Sequence, residues 1–329
     1  MAAVIDTARR DTMMDDVIPT VGASMRIVVI GQAPFGEAVA KRLVEAGEDI
    51  VGISAPATPE DGRPDPLRAY AESQGLPVLT ARALKKEDVY QEYASWKPDL
   101  NVMAFVTDIL AERVLFTPTL HTIQYHPSLL PKHRGASAMN WAIMQGDAKT
   151  GLTIFWPDQG IDTGPILLQR EVDITPDDTL GSLYFDRLFP MGVDAMVESV
   201  RLVKEGKAPK IVQDGSDATY EPICKPEHAA IDWSKPAGEV YNLIRGCTPQ
   251  PGAHTTFRGA PLKISDCGLV NEGGGKPGSI ARVTDAEIIV HLNGGALALR
   301  RVQPQDSPKL KAAEFIAATG IKAGDTLGM

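Results

Sequence analysis

Between Met25 and Phe105 the chain alternates short apolar runs with amphipathic stretches, and this alternation restricts the fold more than any other feature. Residues 25–31 read M-R-I-V-V-I-G, a β-branched run of strand length ending in glycine. Phe35 to Ala46 then carries Val39, Leu43 and Ala46 at helical spacing, and Gly47 stops it. A strand is expected over Asp49–Ile53 and a Pro/Gly-rich charged loop over 56–66. A helix over Pro66–Gln74, a strand at 77–79 and a polar helix over Lys85–Ser95 follow, then a central strand from Asp99 to Phe105. Strands joined through helices pair in parallel, because a crossover helix must pack back on the sheet. The expected class is therefore α/β: a doubly wound, Rossmann-like, mainly parallel sheet.

Gly31 and Gly36 form G-x-x-x-x-G, which is neither the G-x-G-x-x-G dinucleotide fingerprint nor a G-K-[ST] phosphate loop. They fit a tight strand-to-helix turn, or close approach to a ligand at the strand ends.

The second half has a different rhythm. Strands are expected at 151–156 and directly after Gly164. The capping signal T-P-D-D-T at 175–179 opens a helix through Tyr184 and Leu188, and a second helix runs from Val193 to Glu205. Residues 206–222 read as a polar linker. D-W-S at 232–234 leads into a helix through Tyr241 and Ile244, which T-P-Q-P-G at 248–252 breaks. Short strands at 253–257, 262–264, 279–283, 288–292 and 296–302, separated by glycine-rich turns, read as a small barrel. A helix from Pro308 to Thr319 closes the pattern. The expected organisation is a loose tail at 1–24, a catalytic domain at 25–206, a linker at 207–228 and a β-barrel domain at 229–329.

The totals fit this plan. A chain of 329 residues, 43% hydrophobic and 23% charged, suits two soluble domains. No apolar run approaches the roughly 18–20 residues that cross a bilayer, and residues 1–24 carry no secretory core. Cys224, Cys247 and Cys267 are scattered without metal-ligand spacing and read as buried free thiols, so a cytoplasmic location is the default. Residues 210–329 hold 13 basic and 13 acidic side chains, so the net charge of −9 lies entirely before them. Neither part has the basic excess of a dedicated nucleic-acid-binding domain.

Chemistry concentrates in Q-Y-H-P-S-L-L-P-K-H-R-G, from Gln124, and in F-W-P-D-Q-G-I-D-T-G, ending at Gly164. His126 and Asp162 each follow an expected strand, and strand ends of an open α/β sheet converge on one crevice. A carboxylate beside an imidazole fixes its tautomer and stabilises its cation. Gln124 lies two positions before His126, so both side chains share one face of an extended backbone. Its amide N–H suits a developing oxyanion. Together the three could handle an acyl carbon through a tetrahedral intermediate. Each also has a structural reading: a histidine before proline is often a packing residue, and D-T-G is a common turn. His133, in K-H-R, reads as an exposed loop residue, and no cluster offers a metal site.

These motifs carry a resemblance. H-P-S-L-L-P-K-H-R-G-A-S-A-M-N-W with F-W-P-D-Q-G-I-D-T-G resembles the folate-dependent formyltransferase superfamily, whose signature is N-x-H-x-S-L-L-P-x-x-x-G with D-x-G-x-D-T-G downstream. Within it the chain looks most like the amino-terminal hydrolase domain of 10-formyltetrahydrofolate dehydrogenases. D-W-S (232–234), I-R-G (244–246) and V-Q-P (302–304) look like parts shared with methionyl-tRNA formyltransferases. The resemblance implies a Rossmann-like domain that binds 10-formyltetrahydrofolate and a barrel similar to an oligonucleotide-binding (OB) fold. It places His126 and Asp162 on the family's catalytic pair, with Gln124 beside them. It puts the pterin near Phe105, Val106, Ile109, Leu110, Asp158 and Gly160. The implied reaction is formyl hydrolysis to formate. The alternatives are transfer to the amine of charged initiator tRNA, which would be a partner, and a non-catalytic folate-binding module. Gln124 departs from the family: its transferases have Asn there, and the hydrolase domain has an aliphatic residue.

Overall fold

The computed structural model describes residues 24–328, so the expected tail at 1–24 lies, apart from Ser24, outside the described residues. The apolar run Arg26–Gly31 forms β1, buried from Ile27 onward. Pro34 sits in the first turn of α1 (Ala33–Glu45), whose Phe35, Val39, Ala40 and Leu43 face the core. β2 (Asp49–Ser54), α2 (Pro66–Ser73) and β3 (Val78–Leu79) complete one wing. Asp65 caps α2, its Oδ1 accepting from the Leu67 N–H at 2.9 Å. The other wing runs through α3 (Glu87–Ser95), β4 (Leu100–Ala104), α4 (Glu112–Phe116) and β5 (Thr122–His126). α5 (Ala138–Met144), β6 (Lys149–Phe155) and β7 (Ile166–Asp173) follow.

The seven strands form one sheet in the order β3-β2-β1-β4-β5-β6-β7. β3 through β5 run parallel, whereas β6 and β7 pair antiparallel at one edge. The strand order reverses between β1 and β4, which opens a crevice beyond their carboxyl ends. Gly31 closes β1 there, and a Cβ on it would lie 2.2 Å from the Ala104 carbonyl oxygen. Close packing of two strands therefore requires this glycine, one position before the turn into α1.

The two helices expected after residue 175 are one continuous run. α6 (Leu180–Ser182) passes through a π-helical turn at Leu183–Leu188 into α7 (Phe189–Lys204). Thr179 and Ser182 form a reciprocal capping box at its start.

In the carboxyl domain α8 (Ala237–Gly246) precedes six antiparallel strands: β8 (His254–Phe257), β9 (Ala260–Val270), β10 (Ile280–Val283), β11 (Ile288–Leu292), β12 (Gly295–Pro304) and β13 (Leu310–Lys311). Their order is β10-β11-β12-β9-β8, with β13 on β12. The edge strands β8 and β10 are bridged by the terminal segment, Leu327 pairing with Phe257 and Thr326 with Ser279, which closes a barrel. α9 (Ala312–Thr319) starts later than the expected Pro308, because Leu310–Lys311 first joins the sheet.

The domains meet along α5 and α8. Asn140 Nδ2 donates to the carbonyls of Gly246 (2.9 Å) and Gln250 (3.0 Å). Buried Arg245 donates from Nη1 to the carbonyls of Thr175 (3.1 Å) and Asp178 (3.0 Å). Of the three free cysteines only Cys247 is buried; Cys224 and Cys267 are half-buried, against the sequence expectation. Cys224 packs beside the same carboxyl-domain core as Cys247. No helix among the described residues is long and apolar enough to cross a membrane.

Candidate active site

His126 ends β5, with Gln124 two residues before it on the same face. β5 is held between β4 and β6, Gln124 pairing with Met103 and Phe155 and His126 with Thr153. The intervening Tyr125 faces the opposite side and packs on Phe35 with ring centroids 4.4 Å apart. The strand therefore sorts one apolar anchor to one face and two polar groups to the other.

Asp162 arrives from the loop between β6 and β7. Its Oδ2 lies 3.5 Å from His126 Nδ1, and both side chains are buried. The same oxygen accepts the Gly135 N–H at 2.8 Å. Oδ1 takes no hydrogen bond from the described residues. On the other side of the ring, His126 Nε2 lies 2.8 Å from the His133 carbonyl oxygen. A carbonyl only accepts, so Nε2 carries a proton. Nδ1, facing the carboxylate, is then the nitrogen whose proton can come and go.

The Asp162 turn is held tightly. Its backbone φ is +56°, and Gly164 follows where a Cβ would lie 1.8 Å from the Trp156 carbonyl oxygen. Gln213 Nε2 donates to the carbonyls of Asp162 (2.9 Å) and Gly164 (2.7 Å). Its Oε1 accepts from Arg134 Nη2 at 2.8 Å and Nε at 3.2 Å. One amide thus ties the Asp162 turn to the loop that follows His126.

Gln213 belongs to the stretch expected as a polar linker. That stretch is a strap bonded across the site. Ile211 bridges the β7 edge at Ile166, and Tyr220 bridges Arg134. Thr219 accepts from His133 N through Oγ1 (2.8 Å) and from Arg134 N through its carbonyl (3.0 Å). Glu221 N donates to the Arg134 carbonyl at 2.9 Å. Gln213, Thr219 and Glu221 carry no local signal in the sequence, since the hydrogen bonds made by the Gln213 and Thr219 side chains reach residues 49 to 86 positions away.

His133 is corrected by the structure. It is buried, with Nε2 2.7 Å from Asp147 Oδ2 and Nδ1 3.4 Å from Glu221 Oε1. A long-range carboxylate partner, invisible in K-H-R, draws it inward.

The remaining sequence candidates divide. Phe105 (φ +62°) and Val106 line the crevice with Gly31, Gln32, Thr80 and Asp108. Ile109 is 76% exposed, while Leu110 turns inward onto Val28, Ile30 and Met103. Asp158 is exposed and staples its own loop, Oδ1 accepting from Gly160 N (3.0 Å) and Thr163 Oγ1 (2.6 Å). A Cβ on Gly160 would collide with Thr163 Oγ1 at 2.0 Å. Gln124 is half-buried, and its amide takes no hydrogen bond from the described residues. Among those residues no group of three or more His, Cys, Asp or Glu side chains could hold a metal ion.

The molecule thus joins a Rossmann-like sheet, with a buried His–carboxylate pair formed at the end of β5 and on the loop after β6, to a closed antiparallel barrel. Residues 25–200 match the Formyl transferase family and residues 224–320 match the family described as Formyl transferase, C-terminal domain. The chain belongs to the formyl transferase family.

It is 40% identical over 306 residues to the cytosolic 10-formyltetrahydrofolate dehydrogenase of Xenopus tropicalis, covering 88% of this chain and 34% of that protein. The chain thus spans about a third of the length of such dehydrogenases. It is 35% identical over 311 residues to the methionyl-tRNA formyltransferase of Geotalea uraniireducens, covering 93% of this chain and 99% of that protein. In fold it is similar to HypX from Aquifex aeolicus, solved in complex with tetrahydrofolic acid. The TM-score is 0.67 at 19% identity, covering 92% of this chain and 49% of HypX.

Proposed function

We propose that this protein removes the formyl group of 10-formyltetrahydrofolate by hydrolysis, giving tetrahydrofolate and formate. The observation that carries the reading is the buried His126–Asp162 pair beside the Gln124 amide, which takes no hydrogen bond from the described residues. The crevice at Phe105 and Val106 takes the pterin, and the formyl carbon reaches the end of β5.

Water attacks the formyl carbon. His126 Nδ1 accepts a proton from that water, and Asp162 stabilises the imidazolium that forms. The Gln124 amide donates to the oxyanion of the tetrahedral intermediate. The carbon–N10 bond then breaks, and the proton held at Nδ1 passes to N10. The products are formic acid, released as formate, and tetrahydrofolate. The buried setting strengthens each of these electrostatic contacts relative to water.

A second reading makes the amine of a charged initiator tRNA the acceptor. It is supported by the similarity to a methionyl-tRNA formyltransferase over nearly all of that protein's length. The charge balance favours water: residues 1–209 carry the whole −9, and the remainder is neutral. Measuring tetrahydrofolate release with and without charged initiator tRNA separates the two. Release that is independent of tRNA supports hydrolysis; strict dependence on tRNA sinks it.

A further inference from the structure

His133 has no part in the chemistry above, yet the molecule commits two carboxylates to its side chain. Asp147, on the turn between α5 and β6, faces Nε2 at 2.7 Å. Glu221, on the strap, faces Nδ1 at 3.4 Å and itself accepts from Gln145 Nε2 at 3.0 Å. The backbone of His133 sits at φ +54°, a left-handed conformation that non-glycine residues rarely adopt.

The surrounding backbone is fixed from several directions. The Lys132 carbonyl accepts from Ser128 Oγ at 2.6 Å, and His133 N donates to Thr219 Oγ1 at 2.8 Å. From this short loop two groups reach the reacting pair. The His133 carbonyl meets His126 Nε2, and Gly135 N–H meets Asp162 Oδ2.

We propose that His133 is a positioning residue. Its side chain, hydrogen-bonded through Nε2 to Asp147 with Nδ1 beside Glu221, holds its own carbonyl against His126 Nε2 and so sets the ring with Nδ1 toward Asp162. The functional consequence rests on the proposed formyl chemistry; the tautomer does not.

The test pairs kinetics with nitrogen NMR. In ¹⁵N-histidine-labelled wild-type protein, without substrate, His126 shows a protonated, hydrogen-bonded Nε2. In His133→Phe that signature is lost or mixed with the Nδ1–H tautomer. Turnover of the folded variant falls by about 10- to 100-fold, the scale of misplacing a reacting group. KM for the folate changes less than about twofold, because binding contacts are untouched. His133→Asn, which accepts a left-handed backbone and can donate to Asp147, restores most of the turnover.

A folded His133→Phe with wild-type turnover and an unchanged His126 signature overturns the proposal. So does a wild-type spectrum with the His126 proton on Nδ1 alone, which decides the matter even if His133→Phe does not fold. If wild-type protein shows the expected tautomer but no formyl release, the functional reading fails and the positioning role stands.

Discussion

Asp162→Asn is the sharpest probe of the proposed chemistry, because it removes charge while keeping shape. Asp162 Oδ2 sits 3.5 Å from His126 Nδ1, both side chains being buried. At that separation, with an effective dielectric near 20, a carboxylate stabilises an adjacent imidazolium by about 4–5 kcal/mol. A factor of ten in rate corresponds to about 1.4 kcal/mol, so full loss is about 10³-fold. The amide oxygen of Asn still presents a dipole, so a fall of about 10²- to 10³-fold in turnover is expected. Stability should change by less than about 1 kcal/mol, since the amide oxygen can still accept the Gly135 N–H now bonded at 2.8 Å. Asp162→Ala orphans that N–H and should also cost about 1–3 kcal/mol of stability. The assay is single-turnover release of tetrahydrofolate, with urea unfolding run alongside. A folded Asp162→Asn within about tenfold of wild type would refute the view that charge at this position drives the reaction.

Other consequences follow from separate parts of the structure. Gln124→Ala should lower turnover by about 10²- to 10³-fold with little effect on folding, since its amide takes no hydrogen bond from the described residues; steady-state rates and thermal melting check this. Gly164→Ala places a Cβ 1.8 Å from the Trp156 carbonyl oxygen, so the Asp162 turn must move. Both stability and turnover should drop, by about 1–3 kcal/mol in urea unfolding for the former. Burial alone would raise the carboxyl of Asp178, but hydrogen bonds from Arg187 and Thr175 outweigh it and hold the group low. A lowered folded value stabilises above the ordinary carboxylate range and is lost as pH falls through it. The stability advantage over Asp178→Asn should therefore be full at neutral pH, shrink below about pH 4 and vanish in stronger acid. A pH-independent difference between the two unfolding curves would count against this.

What was legible in the sequence was whatever local pattern determines. β1, α1 and β4 announce themselves because burial on both faces, or along one stripe, leaves a contiguous or periodic apolar record. β11 was legible for the same reason, with four of its five residues buried. β9 was expected over three residues and extends over Ala260–Val270, because its second half is half-buried and carries Asp266 and Gly268 in place of apolar side chains. The seven-residue α5 leaves no such record: its buried face includes Asn140, which is satisfied by carbonyls more than 100 residues away. His126 and Asp162 stand out by residue type and by following expected strands, and Gln124 by its spacing from His126. Gln213, Thr219 and Glu221 do not, because a polar side chain that bonds a distant backbone looks the same in sequence as one that faces water.

That asymmetry explains how the site is built. The sheet delivers His126 and Gln124 by alternation alone, and any one-residue slip of β5 would send them to the Tyr125 face. Asp162 has no such guarantee, since it lies on a loop beyond β6 and adopts a left-handed backbone. Its position is instead enforced by groups converging from elsewhere: Gly135 on the carboxylate, Gln213 on the carbonyl, and Gly164 packed against Trp156. Two of these three trace back to the loop after His126 or to the strap that grips it. A perturbation of the strap should thus reach Asp162 by the same route as it reaches His126. Gln213→Ala provides the check: if the two residues are held as a unit, combining it with His133→Phe will cost less turnover than the product of the single effects.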